Sequence, residues 1–483
     1  MTVRISKLNE SYLRIDTDQG ILMEMSRHFS FMVSGYQFMP KYRMGIWDGR
    51  IRLLNTGSQT IYAGLYEDIV KFCQNEKYDI TLFSDFKQND FSKIEAEKLV
   101  KEWNVKYVPR DYQLKAFIDA IRLKRATFLS PTASGKSFII FLIYKYFSDK
   151  KTLLIVPNIN LVNQMKSDFM EYDLNGEVKK NIQLIMGGKE KIISKPLVIS
   201  TWQSIYKQPK KYFEQFDVVI VDEAHGAKAN EMVKIMERCT KAQYRYGFTG
   251  TLDGSLANEM VIKGLFGPLR IVTTTKKLMD RGDVATLKIK SIVLNYKDET
   301  KKVIVKGKYP DELKWLFSNK KRNKFIENLA LSLEGNTMII FSRVGSHLVP
   351  FFEELQKKAK VPVYMVHGGV DGDEREEIRK IVNTHKSSIT IASMRTFSKG
   401  VNIPNLNNLI FASPSKAIID ILQSIGRILR LGENKTSCTA YDIADDLSYK
   451  KWKNYAFKHY IERLKIYESQ KFDYKQYQVM LEK

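Results

Sequence analysis

The chain of 483 residues reads as α/β, with two tandem domains built on parallel sheets. Short β-branched runs alternate with helical patterns in two successive stretches. In residues 105–282 the runs are "ATFLS", "TLLIVP", "PLVIS", "DVVIVD" and "YRYGFTG"; in residues 284–445 they are "TMIIFSR", "VPVYMVHG", "SITIAS" and "NNLIFASP". Continuous apolar strands separated by helices imply parallel sheets covered on both faces. A glycine-lysine-serine turn between the first strand and its helix, and an acidic pair ending a later strand, fit the same plan. The expected domains are an N-terminal α/β module (1–95), the first parallel-sheet domain (96–282), the second (283–445) and a helical C-terminal extension (446–483).

Composition narrows the partners. Lys and Arg total 78 against 54 Asp and Glu, a net charge of +24. Such an excess suits a polyanion, either nucleic acid or an anionic membrane surface. The longest apolar stretch, "SFIIFLIYKYF", is interrupted by Lys145 and is too short to span a bilayer. No apolar block marks a signal peptide at the N-terminus. Cys73, Cys239 and Cys438 lie far apart, so neither a disulfide framework nor a zinc cluster is expected. A reducing, cytosol-like setting without a membrane follows.

In the first 100 residues acidic and basic groups balance overall, yet residues 27–52 carry Arg27, Lys41, Arg43, Arg50 and Arg52 against Asp48 alone. Phe29, Phe31, Tyr36, Phe38, Tyr42 and Trp47 are interleaved with them. These rings either fill a small core or stack on bases while the cations meet phosphates. The tail from Ser448 is helical in period, basic and aromatic. It is expected to dock through its rings and show its lysines to solvent.

The string "LSPTASGKSF" leads from the strand "RATFL" into the helix "KSFIIFLIYKYF". A phosphate-binding loop asks for Gly, four free positions, then Gly-Lys-Ser/Thr, and Ser130 stands at the first position. That position chiefly needs a small residue, which Ser130 is. In the loop Ser130, Pro131, Thr132, Ala133, Ser134, Gly135, the backbone N–H groups of Thr132 to Lys136 would curl around the phosphates. Lys136 would reach the β- and γ-phosphates of ATP, and Ser137 would place its hydroxyl on Mg²⁺. Downstream, "FDVVIVDEAHG" ends a buried strand in Asp222 and Glu223. Asp222 suits the Mg²⁺ and Glu223 the activation of the attacking water. A nuclease centre would need carboxylates and a lysine converging on Mg²⁺ from adjacent strands. The nearest candidate, Asp173 with Glu177, Val178 and Lys179, lies in a polar stretch without a metal-binding pattern.

With these strings in order across residues 107–432, the chain resembles the superfamily-two nucleic-acid helicases, whose fold is a pair of RecA-like lobes. The resemblance implies roles residue by residue. "VPRDYQ" is similar to the adenine-reading segment, with Gln113 as ligand and Arg110 beside it. "VPNINLVNQ" and "ISTWQS", the latter with Thr201, resemble strand-contacting loops. Thr249 and Thr251 of "TGT", with His225, are implied in coupling hydrolysis to lobe movement. "ASMRTFSKGVNIPNL" resembles the element touching DNA and nucleotide, through Thr396, Gly400 and Asn402. "QSIGRILR" resembles the finger motif, with Gln423, Arg427 and Arg430, of which Arg430 is the implied arginine finger. The whole-chain pattern is similar to recombination and repair helicases of the phage type. That likeness implies a monomer in the host cytoplasm acting on branched DNA: forks, Holliday junctions and R-loops with their RNA–DNA hybrids. Lys41, Arg43, Arg50 and Arg52 are the expected contacts of the N-terminal module with DNA. Two rivals share these motifs: a duplex translocase that separates no strands, and a slow ATPase that only switches binding.

Overall fold

Seven parallel strands form the first large sheet, in the order Ile182–Ile185, Leu197–Thr201, Thr152–Val156, Val218–Asp222, Tyr244–Thr249, Arg125–Leu129 and Leu269–Ile271. The computed structural model describes residues 2–33, 35–83, 87–188, 191–228, 230–394, 396–397, 403–432 and 435–481. Strands Thr152–Val156, Leu197–Thr201 and Val218–Asp222 are buried at every position. Their side chains divide by alternation between two cores. Leu154, Ile199 and Ile220 face Phe117, Phe141 and Phe169, while Leu153, Val198 and Val219 face Phe213, Ile235 and Phe266. A continuous apolar run is therefore what a sheet sandwiched by helices requires.

The N-terminal module is a five-stranded mixed sheet in the order Leu54–Asn55, Thr60–Tyr62, Tyr12–Asp16, Thr2–Lys7, Asp79–Leu82, with only the last pair parallel. Helices Gln19–His28 and Tyr66–Asn75 close its core over Val3, Ile5, Leu13 and Ile15. This module and the first sheet belong to one compact unit, residues 1–130 and 135–273; the second unit holds 274–483 with 131–134.

What joins module to lobe is polar and buried. Arg245, 1% exposed, donates from Nη1 to the Glu10 carbonyl (2.6 Å) and to Ser11 Oγ (3.0 Å), and from Nη2 to the Met236 carbonyl. Arg125 Nη2 reaches Glu10 Oε2 at 3.0 Å. Tyr12 and Tyr62 both donate to Glu237 Oε1 at 2.8 Å. Burial, with Arg125 adding to it, lowers the Arg245 guanidinium to about 10. Backbones also meet: a Cβ on Gly64 would lie 2.2 Å from the Lys263 carbonyl. Glu10→Ala is accordingly expected to destabilise this unit by on the order of 3 kcal/mol, since it leaves Arg125 without its carboxylate while Arg245 keeps its bond to the backbone carbonyl. Urea denaturation of the purified variant measures it.

The second unit carries another seven-stranded parallel sheet, ordered Val363–Val366, Ser388–Ser393, Asn336–Phe341, Leu406–Phe411, Ser437–Asp446, Thr286–Asn295, Asp473–Met480. Two ion pairs without solvent exposure brace it: Arg322 Nε with Asp445 at 2.8 Å and Arg463 Nη2 with Asp442 at 2.7 Å. The C-terminal segment departs from the all-helical expectation. Helix Tyr455–Ser469 is present, but the chain continues into strand Asp473–Met480, which adds the edge of the sheet beside Thr286–Asn295. Tyr460 and Tyr467 of the tail are buried as expected, whereas Trp452 is 72% exposed. Among the described residues no helix is long and apolar enough to cross a membrane.

Candidate nucleotide-hydrolysis site

The loop after strand Arg125–Leu129 turns through two left-handed residues, Ala133 (φ 66°) and Gly135 (φ 76°), before helix Lys136–Tyr146 begins. Backbone conformation is the main reason for Gly135. Its φ favours glycine, and an added Cβ would come within 2.2 Å of Gln113 Nε2. Ser130 and Ser134 are buried, and Ser134 Oγ donates to the Pro131 carbonyl at 2.6 Å. Ser130 N donates to the Thr249 carbonyl at 2.8 Å, so the loop's first position is tied to the neighbouring strand end. Its burial, rather than that backbone bond, is what suits a small side chain there.

Lys136, Asp222 and Glu223 converge. Lys136 Nζ lies 2.6 Å from Asp222 Oδ1 and 3.0 Å from Glu223 Oε1. Burial opposes the Lys136 charge, yet the two carboxylates outweigh it and hold the amine above its usual range. Burial likewise opposes ionisation of Glu223, but Lys136 and then His225 overcome it and keep that carboxyl well below the ordinary range. Asp222 is raised, with burial the leading cause. Glu223 takes a left-handed φ of 57°, uncommon for a non-glycine residue and the kind of strain found at functional sites. Its N–H bonds Asp222 Oδ1 at 2.9 Å.

A relay leads away from Glu223. His225 Nδ1 lies 3.1 Å from Glu223 Oε2 and 3.0 Å from Thr249 Oγ1, and Thr249 Oγ1 donates to the Thr251 carbonyl at 2.8 Å. The three residues assigned to coupling thus form one chain from the acidic pair to the end of a central strand. Ser137 Oγ pairs with Tyr172 OH at 2.8 Å. Tyr172 is a site neighbour that sequence reasoning missed, because nothing marks the last residue of an ordinary amphipathic helix. Gln113 Oε1 accepts from Arg110 N at 2.9 Å, and Arg110 Nη1 reaches Tyr112 OH at 3.0 Å.

The donor set fits Mg²⁺. One hydroxyl (Ser137) and one carboxylate (Asp222) match an ion that keeps several waters and takes phosphate oxygens. Among the described residues no group of three or more His, Cys, Asp or Glu could hold a metal alone. The stretch of residues 173–179 is occupied structurally: Asp173 Oδ2 accepts from Val178 N at 2.7 Å, and Glu177 pairs with Lys145 at 2.5 Å.

Other assigned residues lie elsewhere. Thr201 is buried, its hydroxyl 2.9 Å from Ser204 Oγ, and Thr396 is buried with its hydroxyl 2.8 Å from Ser393 Oγ. Both side chains are turned inward. Gly400 and Asn402 lie outside the described residues. In the second unit, helix Ile418–Ile428 buries Ile421, Ser424, Ile425 and Ile428 and leaves Gln423 and Arg427 half-buried, as is Arg430 just beyond its end. Lys41, Arg43, Arg50 and Arg52 are all exposed. Arg52 pairs with Asp48, and Arg43 Nε donates to the Gln37 carbonyl at 3.2 Å.

Comparison with known proteins accounts for this arrangement. Residues 3–83 match the family "DNA helicase UvsW, N-terminal", residues 106–254 "Type III restriction enzyme, res subunit", and residues 320–432 "Helicase conserved C-terminal domain". The ATP-dependent DNA helicase uvsW of Enterobacteria phage T4 is 35% identical over 98% of this chain and 99% of its own length. The DNA 3'-5' translocase XPB2 of Sulfurisphaera tokodaii is 24% identical over 66% of this chain and 78% of its own. The crystal structure of T4 UvsW superposes with a TM-score of 0.53 at 32% identity, covering both chains fully. The Type ISP restriction-modification enzyme LlaBIII bound to DNA shares the fold at TM-score 0.58 and 17% identity, over 84% of this chain and 34% of that one. Lys136, Asp222 and Glu223 fall in the segment that matches the restriction-enzyme family, helix Ile418–Ile428 in the one that matches the helicase C-terminal domain, and the N-terminal module has its own counterpart. The chain therefore belongs to the UvsW family of superfamily-two ATP-dependent DNA helicases.

Proposed function

We propose that this ATP-dependent DNA helicase works on branched DNA, with Mg²⁺ at its nucleotide site and the N-terminal module reading the duplex beside the branch. Forks, four-way junctions and R-loops are its substrate class, met as a monomer in the cytoplasm of a phage's host. The observation that carries the substrate reading is the excursion between strands Ser30–Met32 and Arg50–Arg52. Phe38 (73%), Met44 (63%) and Ile46 (69%) are exposed there among Lys41, Arg43 and Arg50. Of the six interleaved rings only Phe29 is fully buried, so most of the stretch is surface rather than core. Cations suit phosphates and apolar tips suit base faces opened at a junction.

At the hydrolytic site, Mg²⁺ held through Ser137 and Asp222 would neutralise charge on the β- and γ-phosphates. Lys136, held by the acidic pair in this structure, would meet the phosphates when ATP is bound. Glu223, ionised by its surroundings, accepts the proton of the attacking water at Oε1 or Oε2. His225 holds Glu223 to Thr249, and Arg427 and Arg430 carry the charge-stabilising roles their motif implies.

Charge reversal at Lys41, Arg43, Arg50 and Arg52 tests the substrate reading. Affinity for forks and four-way junctions should fall more than affinity for single strands, and the reading fails if all fall equally. Excising residues 1–95 is not an equivalent test, because it would strip Glu10 and Ser11 from buried Arg245 and Arg125 and destabilise the motor itself. DNA affinity should decline linearly in log–log form with salt, and each phosphate contact removed should flatten that slope by about one unit. Fluorescence anisotropy across a salt series measures it, and a salt-insensitive complex would contradict the charge argument.

A further inference from the structure

We propose that the turn at residues 449–452 in the second lobe is a stacking site for an unpaired base of a single DNA strand, with Trp452 as its platform. No helicase motif covers this turn, and its residues belong neither to the nucleotide-hydrolysis site nor to the N-terminal excursion.

Its place in the fold comes first. All seven strands of the second sheet are parallel, so their carboxyl ends share one edge. Open α/β sheets bind ligands at that edge. Strand Asn336–Phe341 leads there into Ser342 and Arg343, and strand Ser388–Ser393 into the Thr396 segment. Strand Ser437–Asp446 leads into the turn and is separated from Asn336–Phe341 by one strand, Leu406–Phe411. Two strand spacings amount to roughly 10 Å. A DNA strand lying along the edge can therefore reach the turn.

The turn is preorganised. Tyr449 N donates to the Trp452 carbonyl at 2.9 Å, and Trp452 N to the Tyr449 carbonyl at 3.0 Å. Lys450 adopts φ 53°, a left-handed conformation that a lysine holds only where its surroundings impose it. Below the turn, buried Asn454 accepts from Leu447 N (3.0 Å) and donates to Glu312 Oε1 (2.8 Å) and the Asp445 carbonyl (3.1 Å). Buried Glu312 accepts from Tyr455 N (2.9 Å) and Ala456 N (2.6 Å), fixing the start of the next helix. So firm a mount under a fully packed ring would be ordinary. Here the ring it carries faces solvent.

The chemistry of the patch selects the ligand. Trp452 is 72% and Tyr455 40% exposed, and Lys450, Lys451 and Lys453 surround them, also exposed. Tyr449 lies under two cations, Lys302 at 5.5 Å and Lys450 at 5.8 Å. Rings flanked by lysines form a base-stacking platform with phosphate contacts. In a duplex the base faces are already stacked, so a flat exposed ring favours a single strand.

The full-length protein can be tested by anisotropy with three probes: oligothymidylate, an abasic backbone of equal length and a blunt duplex. Trp452→Ala should weaken oligothymidylate by about 5- to 150-fold, the range for losing one stacked base. Binding of the abasic and duplex probes should not change. Trp452→Tyr should restore most of the loss, which a merely structural role would not predict. K450E/K451E should weaken both single-stranded probes and flatten their salt slope. Unchanged oligothymidylate affinity in Trp452→Ala would overturn the site and leave the patch to a protein partner. Equal losses on all three probes, or on the abasic one, would overturn stacking. These readouts are independent of the fork preference tested through Lys41, Arg43, Arg50 and Arg52, so either proposal can fail alone.

Discussion

Lys136→Ala should abolish ATP hydrolysis, and its loss should reach beyond the phosphates. The amine sits 2.6 Å from Asp222 and 3.0 Å from Glu223, and it is the chief reason Glu223 stays ionised against burial. Without it two adjacent buried carboxylates face each other with His225 as the remaining counterpart, so the variant should melt at a lower temperature as well. The pH dependence has a definite sign. In the native protein Glu223 has a depressed pKa and contributes stability above the unfolded value of about 4.3, lost only as pH falls through the folded value. In the variant burial raises the carboxyl instead, so the folded state binds more protons and its stability falls as pH rises past that point. The difference in melting temperature from the native protein should be largest near neutral pH and shrink on acidification. DNA affinity should persist, because the basic groups that meet DNA are spread over other surfaces. Steady-state ATPase and melting across pH decide the matter; normal turnover would remove Lys136 from the site.

Much of this was legible because the chemistry leaves few choices. A strand buried on both faces has to be apolar throughout, as Leu153, Leu154 and Ile155 are, and a loop that wraps phosphates needs Gly135 before Lys136. The weld between module and lobe was not legible. Glu10, Ser11 and Arg245 are single polar letters over two hundred positions apart, and only the fold makes them neighbours. Strand Asp473–Met480 escaped for the opposite reason: as an exposed edge it buries almost nothing, so its sequence shows no apolar run. The rings between Tyr36 and Trp47 left two readings open, since aromatic residues serve core and surface alike. That the hydroxyls of Thr201 and Thr396 turn inward to Ser204 and Ser393 was not legible either, since a motif fixes a residue type and not the partner its side chain takes in the fold.

Arg430→Ala should bind ATP normally and lose turnover by roughly 10³-fold, the scale of a missing arginine finger. Charge in phosphoryl transfer spreads over the γ-oxygens only as the reaction proceeds, so a guanidinium that meets them then stabilises the transition state more than bound ATP. The local structure suits a carrier of such a group. Helix Ile418–Ile428 is anchored by Ile421, Ile425 and Ile428, and Ser424 Oγ lies 3.7 Å from Met394 Sδ beside the end of strand Ser388–Ser393. Arg430 follows that anchored helix by two residues, so its position moves with the lobe rather than with a loose loop. Lysine cannot replace it, because an ammonium is a point charge without the planar fork of donors. Arg430→Lys should therefore recover little of the lost rate, while Arg427→Ala, implied to meet the γ-phosphate itself, should weaken nucleotide binding as well. Fluorescent-nucleotide titration beside single-turnover hydrolysis separates the two arginines. If Arg430→Ala loses affinity as steeply as rate, it is a ground-state ligand, and the finger role passes to Arg427.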